Sequence, residues 1–343
     1  MGRRSLRELV PPYMNVNLES VNATLFKKCL VEARLLFAAL GAMLFAICWL
    51  RVFIVSRLQT TQFAAIVEQI WEQFKDVWPV PLDQLLSYTG RIAVGYNEPI
   101  IVFGVSLFAI ARGSDVVSGE LGRGTLEMLL AQPVSRLQVL YTQAIVTLGA
   151  ILVLCALTWA GTTAGIYTTW VKEDVPPPTL KLPGLRISIP LSLRKPEKIK
   201  VPMDERTKPE YFVPGAFNLF CLSVAVAGFS TLVSSLDRYR WRTIGIVVAA
   251  YVLSIILKLL GQTISEVAWL QKLSLFTAYE PQKFISIAVH DPPHAWSLAL
   301  HNSQGDFLEP GPLGYNLILI GVGVACYLAA GIVFHKRDLP APL

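Results

Sequence analysis

Six long apolar stretches, separated by polar segments, constrain most strongly what this chain can fold into. A helix that crosses a bilayer needs about 20 mostly apolar residues. We therefore predict spans at about 35–55, 92–111, 144–167, 215–236, 243–260 and 313–334. The second has the shortest apolar core, Glu98–Ala111, and spans only if Ile92–Asn97 adds turns. Of the 343 residues only 16% are charged, against about a quarter in soluble domains, so we predict an all-α polytopic membrane protein.

Lysine and arginine positions predict the orientation. With the N-terminus in the cytoplasm, the extracytoplasmic segments are 56–91, 171–214 and 261–312. Loops 56–97 and 261–312 hold only three and two basic residues, as the positive-inside rule requires. Segment 171–214 holds nine basic residues against six acidic ones, but long segments cross largely regardless of charge. We expect an integral protein of a bacterial cytoplasmic (inner) membrane, with both termini cytoplasmic.

Two amphipathic segments flank the first span. In the cytoplasmic N-terminus, 1–34, the stretch Asn17–Leu36 places Leu18, Val21, Leu25 and Cys29 on one face, which predicts a helix lying in the membrane interface. Beyond the span, helical spacing aligns Phe63, Ile66, Val67, Ile70, Trp71 and Phe74. This second face is either a lid packed on the outer end of the bundle or an outer gate lining an exit path.

The segment 171–214 predicts a small extracytoplasmic β-element. Its nine prolines exclude a long helix. Apolar residues alternate in "LRISIPLSL", as they do in a half-exposed strand, and Pro190 makes an edge strand the better interpretation. Such an element is a candidate docking surface for an extracytoplasmic accessory protein.

Chemical motifs are few. His290, Asp291, His294 and His301 lie in one outer loop, but Pro292 and Pro293 prevent a simple helical ligand spacing, so we favour a surface loop over a metal site. Ionisable residues in the spans lie near their ends (Arg51, Lys258), which argues against an ion-coupled secondary transporter. The translocation path is then expected to be apolar or amphipathic.

The stretch Gly119–Gly124 has the G-x-x-x-x-G spacing of a phosphate-binding loop. Thr125 stands where that loop needs its lysine, and a membrane span precedes the glycines instead of a strand. We therefore expect no ATP binding by this device. The sequence predicts instead a short cytoplasmic helix at Thr125–Leu130, ended by Pro133, and a second helix that leads into the third span.

The stretch "SGELGRGTLEMLLAQPVSRLQVL", Ser118–Leu140, resembles the segment between the second and third spans of ABC-2 type transporter permeases. The matching residues are Glu120, Gly124, Thr125, Leu126, Glu127, Leu129, Leu130, Pro133, Ser135 and Arg136. An interfacial helix before span one and an Arg-Asp pair after span six, here in "FHKRDL", also resemble the family. The long segments 171–214 and 261–312 depart from it.

The resemblance implies the membrane permease subunit of an ATP-driven exporter that works by alternating access. Ser118–Leu140 would be a coupling helix seated in a separate P-loop ATPase, which would hold ATP and Mg²⁺. The chain itself would be no enzyme, would bind no cofactor, metal or nucleic acid, and would pair with a second permease, either a copy or a homologue, among membrane lipids. The alternative function is a polytopic scaffold that anchors an extracytoplasmic assembly. The substrate is not readable from the sequence.

The resemblance also implies roles for individual residues. Glu120, Glu127 and Arg136 would supply charge contacts to the ATPase, and Leu126 and Leu130 a buried anchor. The complete expected interface is Glu120, Gly124, Thr125, Leu126, Glu127, Leu130, Pro133 and Arg136; the alternative is that these residues only stabilise their own loop. A second cytoplasmic contact is expected from Arg238, Arg240 and Arg242, with lipid-headgroup binding as its alternative.

Overall fold

Six helices in the structure are long and apolar enough to cross a membrane. The computed structural model describes residues 23–58, 80–132, 134–174, 179–181, 188–190, 198–301 and 307–337. The candidate spans among them are Ala23–Arg57, Tyr88–Gly122, Arg136–Thr168, Pro209–Leu236, Arg240–Thr263 and Pro312–Lys336. Each contains most or all of one predicted span, so the prediction of an all-α polytopic membrane protein is confirmed.

The elements are numbered in chain order. The described α-helices are α1 (Ala23–Arg57), α2 (Leu82–Leu86), α3 (Tyr88–Ala93), α4 (Pro99–Ser114), α5 (Glu120–Gly122), α6 (Thr125–Leu130), α7 (Arg136–Thr168), α8 (Val213–Leu236), α9 (Arg240–Thr263), α10 (Pro281–His290) and α11 (Pro312–Lys336). A π-helix, Asp115–Gly119, continues α4, and 3₁₀ turns occupy Val94–Asn97, Met203–Glu205, Pro209–Phe212, Ser265–Leu273, Leu275–Ala278 and Pro292–His294. The described strands are β1 (Trp170–Asp174), β2 (Thr179–Lys181), β3 (Ser188–Pro190), β4 (Lys198–Pro202), β5 (Ala299–His301) and β6 (Phe307–Pro310).

The bundle has two ends. The near end comprises the start of α1, residues 115–132 and 134–136, the turn between α8 and α9, and the end of α11. The far end carries the strands and the described residues of the segment after α9, 264–301 and 307–311. Because these residues form helical turns, α10 and the strand pair of β5 with β6, they are a folded part of the bundle and more than a connecting loop.

Helix α1 runs without interruption from Ala23 to Arg57. Residues 23–36, predicted to form an interfacial helix, are therefore the first turns of the same helix as span one and do not form a separate element. The rest of that predicted helix lies outside the described residues. At about 1.5 Å per residue, α1 is well over the roughly 30 Å thickness of a hydrocarbon core. Its first turns therefore project into the near end, where Leu25 and Cys29 pack against Val139.

Span two is interrupted where the sequence signal was weakest. Ile92–Asn97 does add helical turns, but Glu98 has extended backbone angles (φ −64°, ψ 133°) and Pro99 restarts the helix. The residue before a proline is sterically disfavoured in the helical region, which accounts for the break. The Glu98 carboxylate forms a salt bridge with Arg51 of α1, so a residue at the break ties two spans together.

Helix α8 is the centre of the bundle and is buried along most of its length. It packs on α4, α7, α10 and α11, and small residues allow these helices to approach closely. The closest approach is to α11, where a methyl group added to Gly323 would lie 2.8 Å from the carbonyl oxygen of Val224. A side chain at this position would push the two backbones apart.

The segment after α9 folds back into the bundle. Phe276 and Tyr279 are buried in the main hydrophobic core. Asn218 of α8 donates hydrogen bonds to the Ala278 carbonyl (3.0 Å) and to Asn316 (2.7 Å), and Lys258 donates to the Phe276 carbonyl (2.9 Å). Phe276 and Tyr279 belong to segment 261–312, which was predicted to be an outer loop, because the 3₁₀ turns Ser265–Leu273 and Leu275–Ala278 carry no helical period long enough to detect.

The predicted β-element is present as two antiparallel strand pairs, β1 with β4 and β2 with β3. Within the predicted strand, β3 covers Ser188–Pro190 and ends at the proline. A third pair, β5 with β6, was not predicted and has an irregular register between Leu300 and His301.

We predict that Gly323→Ala lowers the stability of the protein by about 1–3 kcal/mol, because overpacking forces backbones apart. The measurement is the thermal unfolding midpoint in detergent. The matched control is Gly321→Ala in the same helix, where an added methyl group meets nothing within 4 Å; it should be neutral or stabilising by up to about 1 kcal/mol. Equal midpoints for the two variants would contradict this packing.

Candidate functional site

The residues expected to receive a partner form a compact loop between α4 and α7. The chain passes from the π-helix through α5, turns at Gly124 and enters α6. Gly124 has φ +68°, the left-handed region that favours glycine, and directly precedes the first residue of α6. Ser135 then begins α7 through a capping box: its hydroxyl accepts from the Gln138 amide, and the Gln138 side chain accepts from the Ser135 amide. Both ends of the loop are thus fixed locally.

Glu120 is buried and holds this loop to α1. Its carboxylate lies 2.9 Å from Lys28 Nζ and 3.3 Å from the Arg123 guanidinium, and it accepts a hydrogen bond from the Thr125 hydroxyl. A buried carboxylate requires such partners, because an unpaired charge in a low dielectric is costly. Glu120 therefore contacts its own chain in this structure, and its expected charge contact with an ATPase stays a prediction.

Asp115 forms the second buried anchor. Arg123 donates two hydrogen bonds to its carboxylate, at 2.7 and 3.2 Å, and Arg240 of α9 lies 3.3 Å from it. These hydrogen bonds raise the pKa of the Arg123 guanidinium above its ordinary value, so this cation stays protonated. Gly119 leaves room for the Asp115 carboxylate, since a methyl group at Gly119 would collide with it. The loop is in this way tied to α9 as well as to α1.

The π-helix lies between these anchors and is stabilised by a side chain from α8. Ser234 Oγ accepts from the amides of Val117 (3.2 Å) and Ser118 (3.0 Å) and donates to the Ser114 carbonyl (3.0 Å). The Ser118 hydroxyl also meets Thr243 of α9 at 3.1 Å. π-Helical turns inside α-helices are rare and are frequent at functional sites, so this turn marks the loop as a candidate functional element.

The apolar side of α6 packs on its own chain. Leu126 is buried in a cluster of Val116, Val117, Leu140, Ala330 and Phe334. Leu129 and Leu130 are half-buried and pack on the cluster that contains Leu25 and Cys29. Leu126 therefore anchors α6 on its own chain, and Leu130 packs largely in the same way. Their expected role as an anchor in a partner stays a prediction.

Opposite that apolar side, α6 presents an exposed tip. Glu127 is exposed, and Met128 has 71% of its surface accessible. Gly122 and Gly124 beside them are also exposed. We call Gly122–Gly124 together with Glu127 and Met128 the exposed tip.

Two arginines join helix ends behind this tip. Arg136 donates to the carbonyls of Phe334 (3.4 Å) and Arg337 (2.6 Å) at the end of α11. Arg337 in turn donates to the carbonyls of Ser235 (2.8 Å) and Asp237 (3.1 Å) at the end of α8. Cations at helix C-termini satisfy the last carbonyls and favour the helix dipole. Arg136, expected to contact a partner, is thus used within the chain.

The three arginines between α8 and α9 separate by position. Arg240 points inward to Asp115 and also donates to the Ala111 carbonyl at 3.2 Å. Arg242 is exposed and lies 3.4 Å from Asp237, while Arg238 is half-buried. Of the predicted second contact, Arg242 is the most accessible member.

Several predicted residues cannot be placed. Pro133 and the predicted lid or gate, Phe63, Ile66, Val67, Ile70, Trp71 and Phe74, lie outside the described residues. In the histidine-containing segment, exposed His294 and Asp291 are 2.8 Å apart. Among the described side chains, no cluster of three or more His, Cys, Asp or Glu is arranged to hold a metal.

A cavity of about 510 Å³ lies towards the far end, between α4 and α9. Its wall is mostly apolar and includes Phe103, Tyr251 and Ile255. The ion pair of Lys258 with Glu280 lies in its lining. Lys258 was identified from the sequence as an ionisable residue near the end of a span, but its pairing with Glu280 was not predicted. Glu280 belongs to the segment that folds back after α9.

Four residues of the site were not predicted from the sequence: Lys28, Asp115, Arg123 and Arg337. The available signal was charge at the near end, yet pairs such as Lys28 with Glu120, 92 residues apart, leave no trace in local spacing.

Comparison with known proteins gives one match. A family model described as "ABC-2 family transporter protein" matches residues 37–339. No curated protein matches the chain.

We predict that Lys28→Met destabilises the loop by about 1–3 kcal/mol, because the buried Glu120 loses one cation. The measurement is the rate of tryptic cleavage after Arg123, which should rise. Lys27→Met is the matched control: Lys27 is adjacent but exposed, and its removal also deletes one tryptic site. Lys28→Arg should restore protection. Cleavage at equal rates in the Lys27 and Lys28 variants would show that the ion pair does not hold the loop.

Proposed function

The chain belongs to the ABC-2 family of transporters, and on this premise we propose that it is the membrane permease subunit of an ATP-driven exporter. The family assignment supports a membrane transport component. The further proposal is that a separate P-loop ATPase docks on the exposed tip and supplies ATP and Mg²⁺. The observation that carries it is that Glu127 and Met128 are exposed, while Leu126 on the opposite side of α6 and Glu120 before it are buried in the chain.

The exposed tip combines an apolar and a charged side chain, a composition that suits a small protein-docking surface. Met128 offers a flexible apolar side chain that adapts to a partner groove, and Glu127 beside it offers charge. Neither residue is needed by the fold, because Leu126 on the opposite side of α6 is the buried anchor.

The ion pairs behind the tip would carry a displacement into the membrane. A displacement of α6 would move Arg123 and Glu120. Glu120 is paired with Lys28 of α1. Arg123 is paired with Asp115, which is also paired with Arg240 of α9. The first turns of α1 and of α9 would then move with the loop. In this proposal the near end is cytoplasmic, and both termini lie on that side.

The cavity between α4 and α9 supports a transport path. Its volume of about 510 Å³ is within the range of roughly 300–1,000 Å³ typical of small-molecule sites. Because its wall is mostly apolar with one ion pair, it suits an amphipathic cargo. Displacement of α9 through Arg240 would change the width of this cavity, which is how alternating access would be coupled to the ATPase.

We predict that Glu127→Lys lowers recovery of a bound P-loop ATPase by more than about tenfold, the loss expected for an interface charge worth about 1.4 kcal/mol. The measurement is gentle purification from the native membrane, followed by mass spectrometry. The fold should be unaffected, because Glu127 is exposed.

The control is Glu266→Lys, an exposed charge reversal at the far end, which should leave ATPase recovery unchanged. Recovery of stable extracytoplasmic proteins, with no ATPase, would contradict the proposal and favour the scaffold function. Equal ATPase recovery with Glu127→Lys would contradict the assignment of the exposed tip.

A further inference from the structure

A second cavity, of about 340 Å³, lies at the far end where α1 and α7 end and β1 begins. We call it the basic pocket. Its lining includes the cations Arg57, Lys172 and Lys200, together with Phe53, Thr168 and Trp170. It is separate from the cavity between α4 and α9, with which it shares no lining residue. Its volume is within the range of about 300–1,000 Å³ typical of small-molecule sites.

The arrangement of the cations is unfavourable by itself. Lys172 and Lys200 are register partners in the antiparallel pair of β1 and β4, so they point to the same face. Like charges directly opposite each other destabilise a strand pair. Arg57 adds a third positive charge, with its guanidinium 4.9 Å from the centre of the Phe53 ring. Among the side chains that the structure describes, none of these three cations has a carboxylate within salt-bridge distance.

Exposed aromatic residues near the pocket indicate its depth in the membrane. Tyr167, near the end of α7, is 65% exposed, and Trp170, the first residue of β1, is 58% exposed. Trp49 of α1 donates to the Thr168 hydroxyl at 3.0 Å. Exposed tryptophan and tyrosine at the ends of spans occupy the headgroup layer of a bilayer. This places the basic pocket at the depth expected of lipid phosphates, with Phe53 and Trp170 in its wall.

We propose that the basic pocket binds the phosphate group of an anionic membrane lipid in the leaflet at the far end. Arg57, Lys172 and Lys200 hold the phosphate, which relieves the repulsion between the two lysines. Phe53 and Trp170 pack against the apolar part of the lipid. The site does not depend on the proposed ATPase partner, because it involves no residue of the near end.

The test compares lipid retention by the complete chain in nanodiscs of equal parts phosphatidylcholine and phosphatidylglycerol. Native mass spectrometry measures the phosphatidylglycerol retained. Lys200→Gln should reduce retention roughly fivefold, since a basic residue near the membrane surface contributes about that factor for an anionic lipid. The matched control is Lys208→Gln, an exposed lysine outside the pocket, which should retain as much lipid as the wild type. Equal retention by the Lys200 and Lys208 variants would overturn the proposal.

A second readout separates binding from structure. In pure phosphatidylcholine, Lys200→Gln should raise the thermal unfolding midpoint, because the lysine repulsion is gone. Adding phosphatidylglycerol should raise the midpoint of the wild type and not that of the variant. If millimolar inorganic phosphate displaces the lipid and gives the same stabilisation, the pocket is a free-anion site and the lipid assignment is wrong.

Discussion

The buried carboxylates of Asp115 and Glu120 are the constraint on which the near end depends. Each lies almost entirely out of solvent, so each must keep a cation beside it. The cations come from four places in the chain: Lys28 of α1, Arg112 of α4, Arg123 of the loop itself and Arg240 of α9. Removing one partner leaves a buried charge without compensation, which costs more than the ion pair contributes. The loop, α1 and α9 therefore cannot move independently.

In the proposed function, the same constraint would give the exposed tip a mechanical role. Leu126 fixes one side of α6 and the ion pairs fix the turn before it, so a force on Met128 is not absorbed by a soft loop. Helix α9 buries few side chains against its own chain, whereas α8 is buried along most of its length. In the proposed function, α8 would therefore stay fixed and α9 would move, pulled through Arg240, its first residue.

Hydrophobic length alone was enough to predict the six spans, since the bilayer imposes that length on any crossing helix. The Glu98 break was signalled only by Pro99. The return of Phe276 and Tyr279 into the core was not predictable, because it depends on Asn218 and Lys258 from distant helices. The surface against which Leu126 packs could not be predicted either, because the apolar side of a six-residue helix fits a groove in a partner as well as it fits its own chain.

The most direct test of the coupling role is site-specific photo-crosslinking from position 128 in native membranes, with a photoreactive amino acid in place of Met128. The comparison site is the exposed Trp296 at the far end. The account predicts an adduct between position 128 and a P-loop ATPase, absent from position 296 and altered in yield by ATP. Adducts from position 128 to lipid only, or an ATPase adduct from position 296, would contradict it.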